Sequence, residues 1–198
     1  MFRTKSFATV LMGVALASLP AFSQEFDRSE VSVQAFGSFV KSTTDNGVGQ
    51  SATNSGGVLA NYRFFFSASH GVEVNYGYSL NTQNYGLESG PLGVKTDQHE
   101  VSAAYVFRHK MHGFTPFVEG GASALIFDPR DTPGASSQTR AGFVYGAGAD
   151  FDITKQFFIR AEYRGFVYDS PTYGLVAMQG ADRITHRAEP SVGFGYRF

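Results

Sequence analysis

The last eight residues, Ser191-Val192-Gly193-Phe194-Gly195-Tyr196-Arg197-Phe198, alternate strictly between bulky apolar and small or charged side chains. Successive side chains of a strand point to opposite faces, so Val192, Phe194, Tyr196 and Phe198 share one side. Ser191, Gly193, Gly195 and Arg197 share the other. A ribbon that is greasy outside, small or charged inside and closed by an aromatic residue suits the final strand of a barrel in lipid.

Seven further segments carry the same period. Val31, Val33, Ala35, Gly37 and Phe39 oppose Ser32, Gln34, Phe36 and Ser38 in the first. Val58, Ala60, Tyr62 and Phe64 oppose Asn61 and Arg63 in the second, and Val72, Val74, Tyr76 and Tyr78 oppose Glu73, Asn75 and Gly77 in the third. The fourth sets Val101, Ala103, Tyr105 and Phe107 against Ser102 and Ala104; the fifth sets Val118, Ala122 and Ala124 against Glu119, Gly121 and Ser123. The sixth places Phe143, Tyr145, Ala147, Ala149 and Phe151 opposite Gly146, Gly148 and Asp150. The seventh places Ile159, Ala161, Tyr163 and Val167 opposite Arg160, Glu162 and Arg164. Strands of about ten residues match what a tilted strand needs to cross the apolar layer. No stretch after Leu19 is an apolar helix of spanning length. A membrane protein with this sequence must therefore be a barrel, the other structure that satisfies every backbone amide in hydrocarbon.

The connections alternate too. Residues 67–70, 109–113 and 152–156 read as tight turns, whereas 41–54, 82–97, 128–139 and 169–183 read as long polar loops. Short turns on one side and long loops on the other predict an all-β fold: an eight-stranded antiparallel up-and-down transmembrane β-barrel. A soluble barrel or sandwich would carry lysine on its wet face. Here Lys41, Lys95, Lys110 and Lys155 all fall in expected loops or turns, and the non-bulky faces are mostly Gly, Ser and Ala, suited to a narrow lumen. Aromatics also gather at both ends: Tyr62, Phe64, Phe66, Phe107, Phe114, Phe157 and Phe198 near the short turns, and Phe39, Tyr78, Phe127, Phe143 and Tyr168 near the long loops. Two girdles are expected at two membrane interfaces.

The first residues read as a cleavable signal peptide over 1–23, with the barrel domain over 24–198. Arg3 and Lys5 precede an apolar run, and Ala21-Phe22-Ser23 offers a small-x-small cleavage site. No cysteine follows the site, which excludes a lipoprotein anchor, and none occurs anywhere, so disulfides contribute nothing. The chain holds 16 Lys and Arg against 17 Asp and Glu; without the leader the balance is more acidic, which gives no reason to expect nucleic acid as a partner.

Against this frame, several stretches resemble the OmpA/OmpX-like family of small outer-membrane β-barrels. They are Thr115-Pro116-Phe117-Val118-Glu119-Gly120-Gly121, Gly146-Ala147-Gly148-Ala149-Asp150-Phe151 leading into Arg160-Ala161-Glu162-Tyr163-Arg164, and the closing Gly193 to Phe198. The resemblance implies a Gram-negative outer membrane with lipopolysaccharide around the barrel. It also implies insertion by the barrel-assembly machinery, with Phe194, Tyr196 and Phe198 as the assembly signal. The peptidoglycan-binding domain of larger relatives is not matched, so cell-wall tethering does not carry over.

An eight-stranded barrel has an interior that side chains roughly fill. The inward charges expected are Arg63, Glu73, Glu119, Asp150, Arg160, Glu162, Arg164 and Arg197. Folding the turn at 67–70 brings Arg63 opposite Glu73, within cross-strand reach, and Glu162 lies between two arginines of its own strand. The expectation is a salt-bridge network that plugs the lumen; the alternative is a porin-like solute path lined by the same charges.

Other motifs favour plain readings. Gly146-Ala147-Gly148 lies in an alternating strand and not before a helix, which argues against a phosphate loop. His109 and His112 sit in a short turn without a third ligand, and Asp128-Pro129-Arg130-Asp131 lacks the ligand spacing of a calcium loop. His99 with Glu100 and Ser102, or His186 with Asp182, are the combinations that catalysis would use; neither matches a known lipid-hydrolase or protease arrangement. The sequence therefore predicts no catalytic, cofactor or metal site. It predicts instead a structural or surface-interaction role through the loops, with a possible extracellular partner.

Overall fold

The structure, a computed structural model, describes residues 28–45, 47–87, 90–130, 132–175 and 183–198. The expected leader at 1–23 lies outside the described residues. Ten strands follow in chain order: β1 (Ser29–Val40), β2 (Thr43–Asp45), β3 (Val48–Ala52), β4 (Ser55–Phe65), β5 (His70–Leu87), β6 (Gly90–Arg108), β7 (Phe114–Arg130), β8 (Gln138–Asp152), β9 (Phe157–Asp169) and β10 (Ile184–Arg197). Antiparallel neighbours run β5-β4-β1-β10-β9-β8-β7-β6, and β6 pairs back onto β5, so this ring closes without an edge. Closure leaves no row of unpaired amides to face lipid. Among the described residues no helix is long and apolar enough to cross a membrane.

The wall is inside-out relative to a soluble protein. Val33, Val58, Val74, Val118, Val192 and Phe194 point outward and are exposed, whereas arginines and glutamates occupy the alternate, inward positions and are buried. Period-two alternation does this: each inward polar residue is matched by an outward apolar one, so a one-residue slip would put charges into hydrocarbon. Three outward tyrosine hydroxyls in this wall find imidazole partners, which offsets the cost of a polar group in an apolar layer. Tyr76 bonds His99 at 2.8 Å, Tyr145 bonds His186 at 2.9 Å, and Tyr105 bonds His70. Tyr145 reaches His186 by lying flat over Gly165, where a Cβ would stand 2.5 Å from the ring.

The three short turns stand where the sequence places them, between β4 and β5, β6 and β7, and β8 and β9. The long connections differ from expectation. Residues 82–97 are not an open loop: β5 and β6 continue in register through Thr82↔Lys95 to Leu87↔Gly90. Lys95 is thus a strand residue. Residues 41–54 hold a small hairpin whose second strand, β3, pairs with the outer part of β5 from Gly49↔Gly86 to Ala52↔Gln83. Beyond the membrane the outward positions are polar (Thr82, Asn84, Lys95), so the contrast that betrays a strand in lipid disappears while the pairing persists.

Phe127 and Tyr168 also depart from expectation. Both point into the barrel, buried and stacked with ring centroids 5.8 Å apart, because each shares the parity of its strand's inward residues, Leu125 and Phe166.

Candidate functional site

The lumen holds three stacked layers. Nearest the short turns, Glu30 accepts from three arginines: Arg160 and Arg197 at 3.0 Å each, and Arg108. Register puts Glu30 beside Arg197 on one flank and beside Arg63 on the other. Arg160 also grips Asp150, its direct cross-strand neighbour, through two parallel bonds of 2.7 and 2.9 Å. Arg197 adds a bond to Asp150 at 3.2 Å and one to Asp152.

One step further in, the polarity of the hub inverts. Arg63 donates to Glu73, its register partner, and to Glu119 and Glu162 at 3.2 Å each. These three carboxylates lie within 4.8 Å of one another, a spacing that could hold a metal ion. The cation they share is the Arg63 guanidinium. Asn75 donates to Glu73 at 2.6 Å and Gln34 to Glu162 at 3.0 Å. The rings of Phe65, Phe117 and Phe158 floor these groups: Arg108 lies 3.3 Å over Phe65, Arg63 3.8 Å over Phe117 and Arg197 4.3 Å over Phe158. Glycines make the room, since a Cβ at Gly148 or Gly195 would run into the rings of Phe117 and Phe158.

Towards the long loops, Arg164 bonds Glu100 at 2.6 Å and Glu189 at 2.8 Å, and Arg187 bonds Glu100 at 2.6 Å and stands 2.8 Å from Glu189. Two cations and two anions balance. Above them the lumen turns apolar. Tyr85, Val94, Leu125, Phe127, Val144, Phe166, Tyr168 and Tyr173 belong to one buried cluster, and Tyr173 comes from residues 170–175 just after β9, which place it in the mouth.

All eight charges expected inside stand in the lumen and are buried. One pairing differs: Glu162 bonds Arg63 across the barrel, not the arginines of its own strand, which are held by other carboxylates, Arg160 by Asp150 and Glu30 and Arg164 by Glu100 and Glu189. Six partners escaped the sequence reading: Glu30, Glu100, Arg108, Asp152, Arg187 and Glu189. Glu30, Glu100, Arg108, Arg187 and Glu189 lie just outside the apolar alternation used to bound the strands, yet carry the inward parity. Extending each strand by its parity finds them.

The combinations weighed for catalysis do not assemble. His99 points outward onto Tyr76, whereas Glu100 and Ser102 are buried in the lumen. His186 is held by Tyr145, and Asp182 lies outside the described residues. His109 and His112 are exposed in their turn. Of the Asp128–Asp131 stretch, Asp131 lies outside the described residues, while Arg130 forks onto Asp97.

A closed wall with charges turned inward is the arrangement of one kind of protein, and comparison agrees. Residues 9–198 match the family described as Outer membrane protein beta-barrel domain. The chain belongs to this family. It is a small outer-membrane β-barrel of OmpA/OmpX-like kind. Solved structures give the same fold at low identity. OprG from Pseudomonas aeruginosa is 14% identical with a TM-score of 0.61, over 87% of this chain and 96% of that one. Neisserial surface protein A is 15% identical with a TM-score of 0.65, over 86% and 97%. Ail, the attachment invasion locus protein of Yersinia pestis, is 21% identical with a TM-score of 0.50, over 87% and 99%. No curated protein sequence matches the chain.

Proposed function

We propose that this protein is a closed, non-catalytic barrel of the Gram-negative outer membrane that works through its outer surface, in adhesion or in envelope integrity. The observation that carries this reading is the filled lumen. Three charge clusters and an apolar cap occupy successive levels of the interior, and among the described residues none of them leaves a polar column for a solute. What remains for interaction is the part beyond the membrane: the outer β5–β6 hairpin, the β2–β3 hairpin seated beside it, and the connections around them. Loops on a rigid scaffold are where such proteins place function.

Three further elements belong to the proposal. The segment 1–23 is an export signal of Sec type. Phe194, Tyr196 and Phe198 are the end recognised by the barrel-assembly machinery. Lipopolysaccharide surrounds the outer rim, where Lys95 and Arg130 stand opposite each other. Arg130 is paired with Asp97, so the Lys95 ammonium is the charge that suits phosphate.

Planar-bilayer recording on the purified full-length protein tests the reading. The filled lumen predicts a silent bilayer at high protein load. Steady unitary steps that scale with salt would instead favour the porin-like alternative and overturn this one.

A further inference from the structure

Tyr173 is held in an unusual way. It is fully buried although it lies in an irregular connection. It is also the only non-glycine among the described residues with a left-handed backbone, φ 53°. Such a conformation is strained for a residue with a Cβ and persists only where surroundings enforce it. Four hydrogen bonds do so. The Gln138 side-chain oxygen accepts from the amides of Thr172 and Tyr173 at 2.9 Å each, and the Ser136 amide and hydroxyl both donate to the Tyr173 carbonyl at 3.0 Å.

The ring itself sits in a socket made by other strands. Tyr85 meets it edge-on at 6.4 Å, and Val94, Leu125, Phe127 and Tyr168 belong to the same buried cluster. Its one polar atom is served too. The Thr96 hydroxyl donates to the Val94 carbonyl at 3.0 Å, so it accepts from the Tyr173 hydroxyl, 2.7 Å away. Below the socket Phe166 carries the guanidinium groups of Arg187 and Arg164 at 4.5 and 5.2 Å. The socket has a largely apolar lining, the Thr96 hydroxyl as acceptor, the Tyr85 hydroxyl donating to the Pro171 carbonyl at 2.6 Å, and a charged floor, and it lies at the long-loop end of the barrel.

We infer that this socket is a binding site for a small neutral phenol taken from outside, and that Tyr173 is its built-in occupant. The tyrosine side chain is itself a phenol on a strap. An incoming phenol that takes the same place makes the same hydroxyl bond to Thr96 and the same edge contact to Tyr85, while the strap swings out and relaxes its strained backbone. The apparent affinity is then the intrinsic affinity reduced by the fraction of molecules with the strap open. Because Arg164, Arg187, Glu100 and Glu189 close the floor, the phenol stops there: this is a receptor site and not a path across the membrane.

The test uses p-cresol, the tyrosine side chain as a free molecule, titrated onto the full-length protein in lipid nanodiscs with tyrosine-labelled NMR. The wild type should bind saturably and shift the Tyr173 ring signals. Tyr173→Ala, checked as folded by its gel mobility before and after boiling, should bind at least about tenfold more tightly, since its socket is vacant. Thr96→Val in that background should weaken p-cresol but not toluene. Tyr173→Phe keeps the ring and loses one hydrogen bond, so it should bind p-cresol about fivefold more tightly than wild type; this holds even if the alanine variant does not fold. Three results would overturn the inference: no saturable binding to folded Tyr173→Ala, equal affinity in wild type and both variants, or binding by the variants with none by wild type, which would make the strap a permanent part of the core.

Discussion

Arg63 is the cation shared by three buried carboxylates, so replacing it should hurt more than replacing any one of them. In Arg63→Leu, Glu73 keeps Asn75 and a distant Arg160 at 3.9 Å, and Glu162 keeps Gln34, whereas Glu119 has no other hydrogen-bond donor among the described contacts. Breaking a buried pair by removing one partner costs about 3–5 kcal/mol, a loss of roughly a hundredfold to several thousandfold in the folded-to-unfolded ratio. Glu73→Leu is different. Arg63 then still reaches Glu119 and Glu162 at 3.2 Å, and Arg160 keeps Asp150 and Glu30. The loss is the charged hydrogen bond from Arg63, about 1.5–3 kcal/mol, and the one from Asn75, offset because one of three crowded carboxylates is gone. The double variant should fall short of the sum of the singles because the two side chains contact each other. It should not return to wild type, since Glu119 and Glu162 still face one another without their guanidinium. The assay is equilibrium urea unfolding in lipid vesicles, followed by tyrosine fluorescence, because the chain has no tryptophan. Equal losses for the two single variants, or an Arg63→Leu barrel within about 1 kcal/mol of wild type, would refute the reasoning: the lumen would then be wet enough to screen its charges.

Three further outcomes follow from the same geometry. Gly195→Ala would put a Cβ 2.1 Å from the buried Phe158 ring that supports Arg197; overpacking of this kind costs about 1–3 kcal/mol, and an unchanged urea midpoint would contradict it. Asp97 stands beyond the apolar belt, and the Arg130 hydrogen bonds, then the Tyr78 hydroxyl, hold its carboxyl below the ordinary range. Its contribution is therefore present above the unfolded pKa of about 4 and lost as pH falls through the folded value. Amide exchange of the outer β6–β7 rungs should speed up in acid, by under about 1 kcal/mol since the pair is partly exposed, and Asp97→Asn should remove that acid step. Burial pushes the phenols of Tyr85 and Tyr173 well above the usual tyrosine value. Their contribution is intact below about pH 10 and lost as pH rises through the folded values, so a late tyrosinate absorbance step should accompany loosening of the cap; titration of every tyrosine near pH 10 with the cap intact would contradict this.

Much of the fold was legible because lipid imposes a strong contrast. Val72-Glu73-Val74-Asn75-Tyr76 can only be a strand with a dry face and a charged face, and the short turn at 67–70 then fixes Arg63 against Glu73. Legibility faded where the contrast does. Outside the membrane Thr82, Asn84 and Lys95 face outward without an apolar signature, so the continuation of β5 and β6 passed for loop. Tyr85 and Tyr173 fall in the stretches read as polar loops, 82–97 and 169–183, yet they bury together in the mouth. Glu30 and Glu189 lay a residue or two beyond the visible alternation, although parity alone places them inside. The choice of Arg63 as partner for Glu162 was beyond reach, because it depends on which strands face each other across the lumen.

The central claim is which medium wets each side of the wall, and relaxation from a nitroxide carried on the lipid acyl chain measures it most directly. In nanodiscs containing such a lipid, the methyl signals of Val33, Val58, Val118 and Val192 should be broadened away, while those of Leu125 and Val144 keep their intensity. Sharp signals from the first set, or strong broadening of the second, would mean that the apolar side does not face acyl chains and that the charged lumen is not where this account puts it.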